Sequence, residues 1–199
     1  MVVAFFKRNE MITSTDAAKA INYHRNDAVV VSTSQTLKEW QHISQRRDLD
    51  IDLVDCMDRA PAVGLGISLA LDQKKVIVLD CDSTLRTDIG SLTTVAESEP
   101  ENFIHFVFND QSFYSTGGTP IQGSQKTDFA AMALGAGYKK AYNYSNTEDL
   151  LLGMESIMNE TGPVLIVLNV VFNGDTEQFP NQTKPESWER VKRSLDSNC

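Results

Sequence analysis

Two apolar runs constrain this chain more than anything else in it. Residues 76–79 (VIVL) and 104–108 (IHFVF) each end in side chains of ligand-forming type, Asp80-Cys81-Asp82-Ser83 after the first and Asn109-Asp110 after the second. Residues 87–98, between them, read as a helix by spacing. A strand–helix–strand unit of this size joins parallel strands through a crossover, which is right-handed in nearly all known cases. In open α/β sheets, ligands bind beyond the carboxyl ends of such strands.

The flanking sequence repeats the alternation. Helical spacing is read over 13–22, with Ser14 or Thr15 as its cap, and over 35–45, 60–71, 128–134 and 147–159, and continuous apolar runs over 28–31, 51–54 and 164–171. An edge strand is read at 139–142, and a last helix at 186–195. Residues 1–10 read as a first strand or a leader. Gly64 and Gly66 lie inside the helix at 60–71, where each costs about 1 kcal/mol, so another backbone is expected to pack closely there. Strands alternating with helices predict a three-layer, doubly wound α/β domain with a parallel sheet covered on both faces. Its expected extent is residues 1–172, with 173–199 as a polar tail carrying that last helix.

Composition narrows the function classes. The 199 residues carry a formal net charge of -9, so the basic footprint of nucleic-acid binding is absent. No apolar run is long enough to span a bilayer. Three cysteines, Cys56, Cys81 and Cys199, show no zinc spacing and suit a reduced, cytoplasmic setting.

Asp82 and Asp110 each follow a buried strand, at positions that are neighbours if the two strands pair. Two carboxylates so placed suit Mg2+, which takes few protein ligands and fills its octahedron with water and phosphate oxygens. The backbone N–H groups of Ser83 and Thr84 lie where a turn enters a helix and suit phosphate oxygens. Acids and amides also occur at strand ends simply to start turns. His24 and His42 fall in polar stretches, and His105 within a strand pattern reads as a structural histidine. Cys81 reads as a buried, inert thiol.

The wider pattern resembles the diphosphate-binding domain of thiamine-diphosphate-dependent enzymes. Their signature is Gly-Asp-Gly followed, some two dozen residues later, by Asn-Asn or Asp-Asn. Here Cys81-Asp82-Ser83 and Asn109-Asp110 occupy the two places. Within that superfamily the likeness is to the β subunit or half of phosphonopyruvate and sulfopyruvate decarboxylases. It extends over residues 28–170 and includes Gly64-Leu65-Gly66-Ile67-Ser68-Leu69-Ala70-Leu71, Asp88-Ile89-Gly90-Ser91-Leu92 and Ser115-Thr116-Gly117-Gly118-Thr119-Pro120.

The resemblance implies specific roles. Asp82 would bind Mg2+ through its carboxylate, Asp110 would stand in the place of the family's amide ligand, and the Ser112 backbone carbonyl would be the third ligand. Ser83 and Thr84 would hold the diphosphate, and Met57 would be the apolar wedge beneath thiamine diphosphate. The activating glutamate belongs to a second, pyrimidine-binding domain. It is expected on a separate α subunit or another copy in a homo-oligomer, with the site between chains. The implied reaction is decarboxylation of a small 2-oxo acid bearing a phosphonate or sulfonate.

This sequence departs from the family pattern at several positions. Cys81 and Ser83 replace glycines, so a Cβ stands where backbone would approach a diphosphate. Asp110 replaces a neutral amide, and Asp55-Cys56-Met57-Asp58 replaces a glycine-containing segment. No cluster of Arg or Lys in the matched loops marks a pocket for the substrate's anionic group. A structural or regulatory relative that has lost the cofactor is therefore an alternative. Asp80-Cys81-Asp82-Ser83-Thr84-Leu85 also resembles the first motif of haloacid-dehalogenase-like phosphatases, with Asp80 as nucleophile and Asp82 as acid/base.

Overall fold

Continuous β-branched runs need cover on both faces, and here they receive it. The computed structural model describes residues 11–113, 117–172 and 184–196; the expected strand or leader at 1–10 lies outside them. Strands β1 (Ile12–Thr13), β2 (Val29–Thr33), β3 (Asp50–Leu53), β4 (Val76–Cys81), β5 (Phe103–Asn109), β8 (Lys140–Tyr144) and β9 (Val164–Val171) form one sheet. Its order runs β3-β2-β4-β5-β9, with β8 and β1 both pairing on the free side of β9. All of these pairings are parallel. A short antiparallel hairpin, β6 (Ser112–Phe113) with β7 (Thr119–Pro120), stands apart.

The strands' two-residue period divides the core into halves. Ile77, Leu79, Ile104 and Phe106 pack with Ala17 and Ile21 of α1 (Ser14–His24), Trp40 of α2 (Ser34–Ile43) and Leu150 and Met154 of α7 (Thr147–Asn159). On the other face, Val76, Val78 and Val107 pack with Leu65 of α3 (Ala60–Ala70), Val95 of α5 (Ser91–Ser98) and Phe129 of α6 (Phe129–Ala136). The fold is the expected three-layer α/β architecture.

The C-terminal helix is α8 (Lys184–Asp196). Val191 is buried in the second core half, and the Arg190 guanidinium donates to the backbone carbonyls of Arg47 and Asp50. Beneath it, Asp50 is fully buried between Arg25 (2.6 Å) and Arg47 (3.1 Å).

Three local expectations are corrected. The single helix at 87–98 is two, α4 (Asp82–Thr87) and α5, because the helix starts directly at the strand end and the chain breaks where Asp88 N–H turns back to the Leu85 carbonyl. The cap of α1 is Thr13, whose hydroxyl accepts from Asp16 N–H at 3.0 Å. Of the two α3 glycines, Gly64 alone is needed for close packing, and side chains rather than backbone approach it. A Cβ there would lie 2.3 Å from Val78 Cγ2 and 3.1 Å from the Phe103 ring, whereas nothing lies within 4 Å at Gly66.

Candidate functional site

The register of β4 on β5 sets Cys81 opposite Phe108, so Asp82 and Asp110 emerge side by side at the carboxyl ends of the two central strands. Asp82 is fully buried, and neither of its carboxylate oxygens makes a well-formed hydrogen bond among the described residues, although the Ser83 N–H and the Asp110 carboxyl lie close to it. Burial, and next the Asp110 carboxylate, push its acid up to about 7, while the Arg86 guanidinium pulls the other way. Asp110 is half-buried and accepts from the backbone N–H (3.2 Å) and the hydroxyl of Ser112. Gln111 between them takes a left-handed φ of 62°, which turns the chain back and closes this clamp.

Buried carboxylate oxygens without well-formed hydrogen bonds carry a large desolvation cost. A divalent cation held by Asp82 and Asp110 removes that cost, so the donor set fits Mg2+. The lost glycines matter less than expected for backbone shape. Cys81 has φ -111° and ψ 155°, ordinary extended backbone, and Ser83 lies in right-handed helix, with neither at positive φ. The Cys81 side chain is buried at the start of α4, where its sulfur accepts from the Thr84 N–H, and burial pushes its thiol far up. Backbone conformation therefore does not demand glycine at either position.

Asp80 closes the site from below. Its carboxylate accepts from Cys81 N–H (2.8 Å) and from the Thr84 hydroxyl, and its other oxygen is 3.4 Å from His105 Nε2. His105 Nδ1 is 3.5 Å from the Tyr138 hydroxyl. With a hydrogen on Nε2, the His105 ring donates to Asp80 and its Nδ1 accepts from the Tyr138 hydroxyl. The phosphatase expectation fails here. Asp80 is 1% exposed with both oxygens engaged, so it is closed to attack on a phosphorus.

Met57 begins a single 3-10 turn, Met57–Arg59, that packs against α4. Its carbonyl accepts from the Thr33 hydroxyl at 2.8 Å, fastening this turn to the end of β2. Asp58 is paired with Arg59, which also reaches Asp88 at 3.0 Å.

Sequence reasoning missed two polar groups at the same edge. Ser32-Thr33-Ser34-Gln35-Thr36 is wholly buried where β2 enters α2, beside β4, and the Ser32 hydroxyl and Gln35 amide oxygen have no partner among the described residues. Ser34 holds a left-handed φ of 52°. The available signal was five successive polar residues directly after a VVV run. Asn169 was also missed; it accepts from Asn109 (2.8 Å) and donates to Ser145 (2.9 Å), linking the ends of β5, β9 and β8. Beyond Asp110 opens a cavity of about 480 Å3, lined by Asp110, Ser112, Ile121, Ser124 and Lys126 among others. A second, more apolar cleft of about 500 Å3 between α3 and α8 lies by the turn into β4, away from these strand ends.

Comparison with known proteins identifies the family. A family model, "Thiamine pyrophosphate enzyme, C-terminal TPP binding domain", matches residues 30–168. The phosphonopyruvate decarboxylase of Streptomyces hygroscopicus is 32% identical over 143 residues, 72% of this chain and 35% of that protein. This chain thus spans about a third of the Streptomyces relative's length. The sulfopyruvate decarboxylase subunit beta of Methanocaldococcus jannaschii is 25% identical over 176 residues, 87% of this chain and 93% of that subunit. Among solved structures, a Rhodococcus jostii thiamine diphosphate-dependent 4-hydroxybenzoylformate decarboxylase superposes with a TM-score of 0.67 at 17% identity, covering 87% of this chain and 36% of that one. The paired strand ends, the fold and the matched span place this chain in the thiamine pyrophosphate enzyme family, as a C-terminal TPP-binding domain.

Proposed function

We propose that this chain is the diphosphate-binding subunit of a thiamine-diphosphate-dependent 2-oxo acid decarboxylase of the phosphonopyruvate or sulfopyruvate type. The observation that carries this is Asp82, a buried carboxylate without a well-formed hydrogen bond beside Asp110, in a domain of this family. Mg2+ would be held by Asp82, Asp110 and the Ser112 backbone carbonyl, and would supply positive charge for the cofactor's diphosphate. Ser83 would donate its backbone N–H to the phosphate oxygens, whereas the Thr84 N–H is already engaged by the Cys81 side chain, and Met57 would pack against the cofactor. Bound thiamine diphosphate supplies the electron sink for loss of CO2.

The protein's part is to place and neutralise. Asp80 fixes the turn that carries Ser83 and Thr84, because its carboxylate holds the Thr84 hydroxyl and Cys81 N–H. Thr33 holds the Met57 turn at the same level. Asp82 and Asp110 contribute the negative charge that a divalent ion needs, and the burial of Asp82 strengthens that attraction by excluding water. The cofactor's pyrimidine half would be met by another chain. The near-complete match to a protein named subunit beta supports a separate α partner.

The test is co-expression with a pyrimidine-domain subunit. CO2 release is then measured from 3-phosphonopyruvate and 3-sulfopyruvate with thiamine diphosphate and Mg2+. The proposal predicts turnover of one of them by the two-chain complex, and none by either chain alone. A stable complex that never retains cofactor would instead support the non-catalytic relative.

A further inference from the structure

The pair Asp82–Asp110 brings two carboxylates into one buried site, whereas the family pattern described above has a single acid and a neutral amide there. A second carboxylate is costly before any metal arrives and excessive once an anionic diphosphate is added. A cation on the same short helix as Asp82, Arg86, can offset part of that charge. It lies four residues after Asp82 on α4, the spacing that sets two side chains on one helix face.

Its guanidinium is not a free surface group. The planar group stacks on the buried Phe129 ring at 5.2 Å from the centroid, and Nη2 donates to the Ser124 carbonyl at 3.4 Å. Ser124 lines the cavity that opens beyond Asp110. Nε is buried without a partner among the described residues. Arg86 is therefore held half-buried between the metal-ligand helix and the loop on the cavity's far wall. Toward Asp82, its charge acts against that of Asp110.

We infer that Arg86 is a positioning residue that supplies the counter-charge for the acid at 110, so that the Asp82–Asp110 pair accepts Mg2+ and a diphosphate with the net charge of an acid–amide pair. This rests on the proposed cofactor site but can fail independently of it.

The experiment is a double-mutant cycle with R86Q, D110N and R86Q/D110N, plus R86K, using the purified chain for stability and the chain together with its pyrimidine-domain partner subunit for cofactor binding. It has two readouts. In the absence of metal and cofactor, R86Q should lower Tm by about 2–4 °C more in the parent background than in the D110N background. With Mg2+ and thiamine diphosphate as probes, R86Q should weaken binding about tenfold in the parent and less than about twofold in D110N, and R86K should recover most of the loss. Equal losses in both backgrounds, in both readouts, would overturn the inference and leave Arg86 as an anchor for Ser124 and Phe129. Coupling in Tm with no cofactor binding by any variant would keep Arg86 as the counter-charge and overturn the proposed function instead.

Discussion

Asp82 and Asp110 stand beside each other at the carboxyl ends of adjacent central strands, and the deeper of the two makes no well-formed hydrogen bond among the described residues. A fold does not carry that cost without a use for it.

The first prediction follows from that cost. Asp82→Asn removes the buried charge and its repulsion from Asp110. In metal-free buffer at pH 8 its Tm should exceed that of the parent by about 2–4 °C, equivalent to roughly 1 kcal/mol for a chain of this size. Added Mg2+ should raise the parent's Tm and leave the variant's unchanged. A lower Tm in the variant, or one that still responds to Mg2+, would contradict the assignment.

Asp80 is predicted to matter for a different reason. Asp80→Ala strips acceptors from His105 Nε2, the Thr84 hydroxyl and Cys81 N–H together. Urea unfolding should show a loss of about 2–4 kcal/mol. A loss under about 0.5 kcal/mol would mean that this network does not hold the turn.

The two glycines of α3 separate packing from propensity. Gly64→Ala drives a methyl into Val78 and Phe103 and should destabilise by about 1–3 kcal/mol. Gly66→Ala meets open space and should stabilise by up to about 1 kcal/mol. Chemical denaturation of the two variants side by side distinguishes them by sign.

Much of the fold was legible because its strands are continuous apolar runs whose lengths and spacing admit little but a covered parallel sheet. The positions of Asp82 and Asp110 followed from the same runs, since a strand's last residue fixes where its successor emerges. What escaped was set by tertiary contact. The break between α4 and α5 depends on one turn at Asp88, and β1 is two residues long, recognisable only beside β9. Residues 32–34 fell between the strand read at 28–31 and the helix read at 35–45, yet the whole polar run 32–36 is enclosed where β2 meets α2. Arg86 carried no signal of its own; its contacts with Ser124 and Phe129 appear only in the fold.

Glu39 gives a pH dependence away from the site. Burial holds its acid above the ordinary range, only partly opposed by the hydrogen bond from the Ser14 hydroxyl. A folded-state pKa above the unfolded value of about 4.3 means stability that is fully present below that pH and lost as pH rises through the folded pKa. Glu39→Gln should therefore flatten the fall in Tm as pH rises above the unfolded value and gain relative to the parent toward higher pH. A parallel pH profile for the two proteins would rule this out.

The central claim is that this domain binds thiamine diphosphate through Mg2+ held at Asp82 and Asp110. Isothermal titration of thiamine diphosphate into the chain together with its partner subunit, with and without Mg2+, tests it most directly. The account predicts saturable binding that requires Mg2+ and disappears in Asp82→Asn. Binding that persists in that variant, or no binding by the parent at saturating Mg2+, would contradict it.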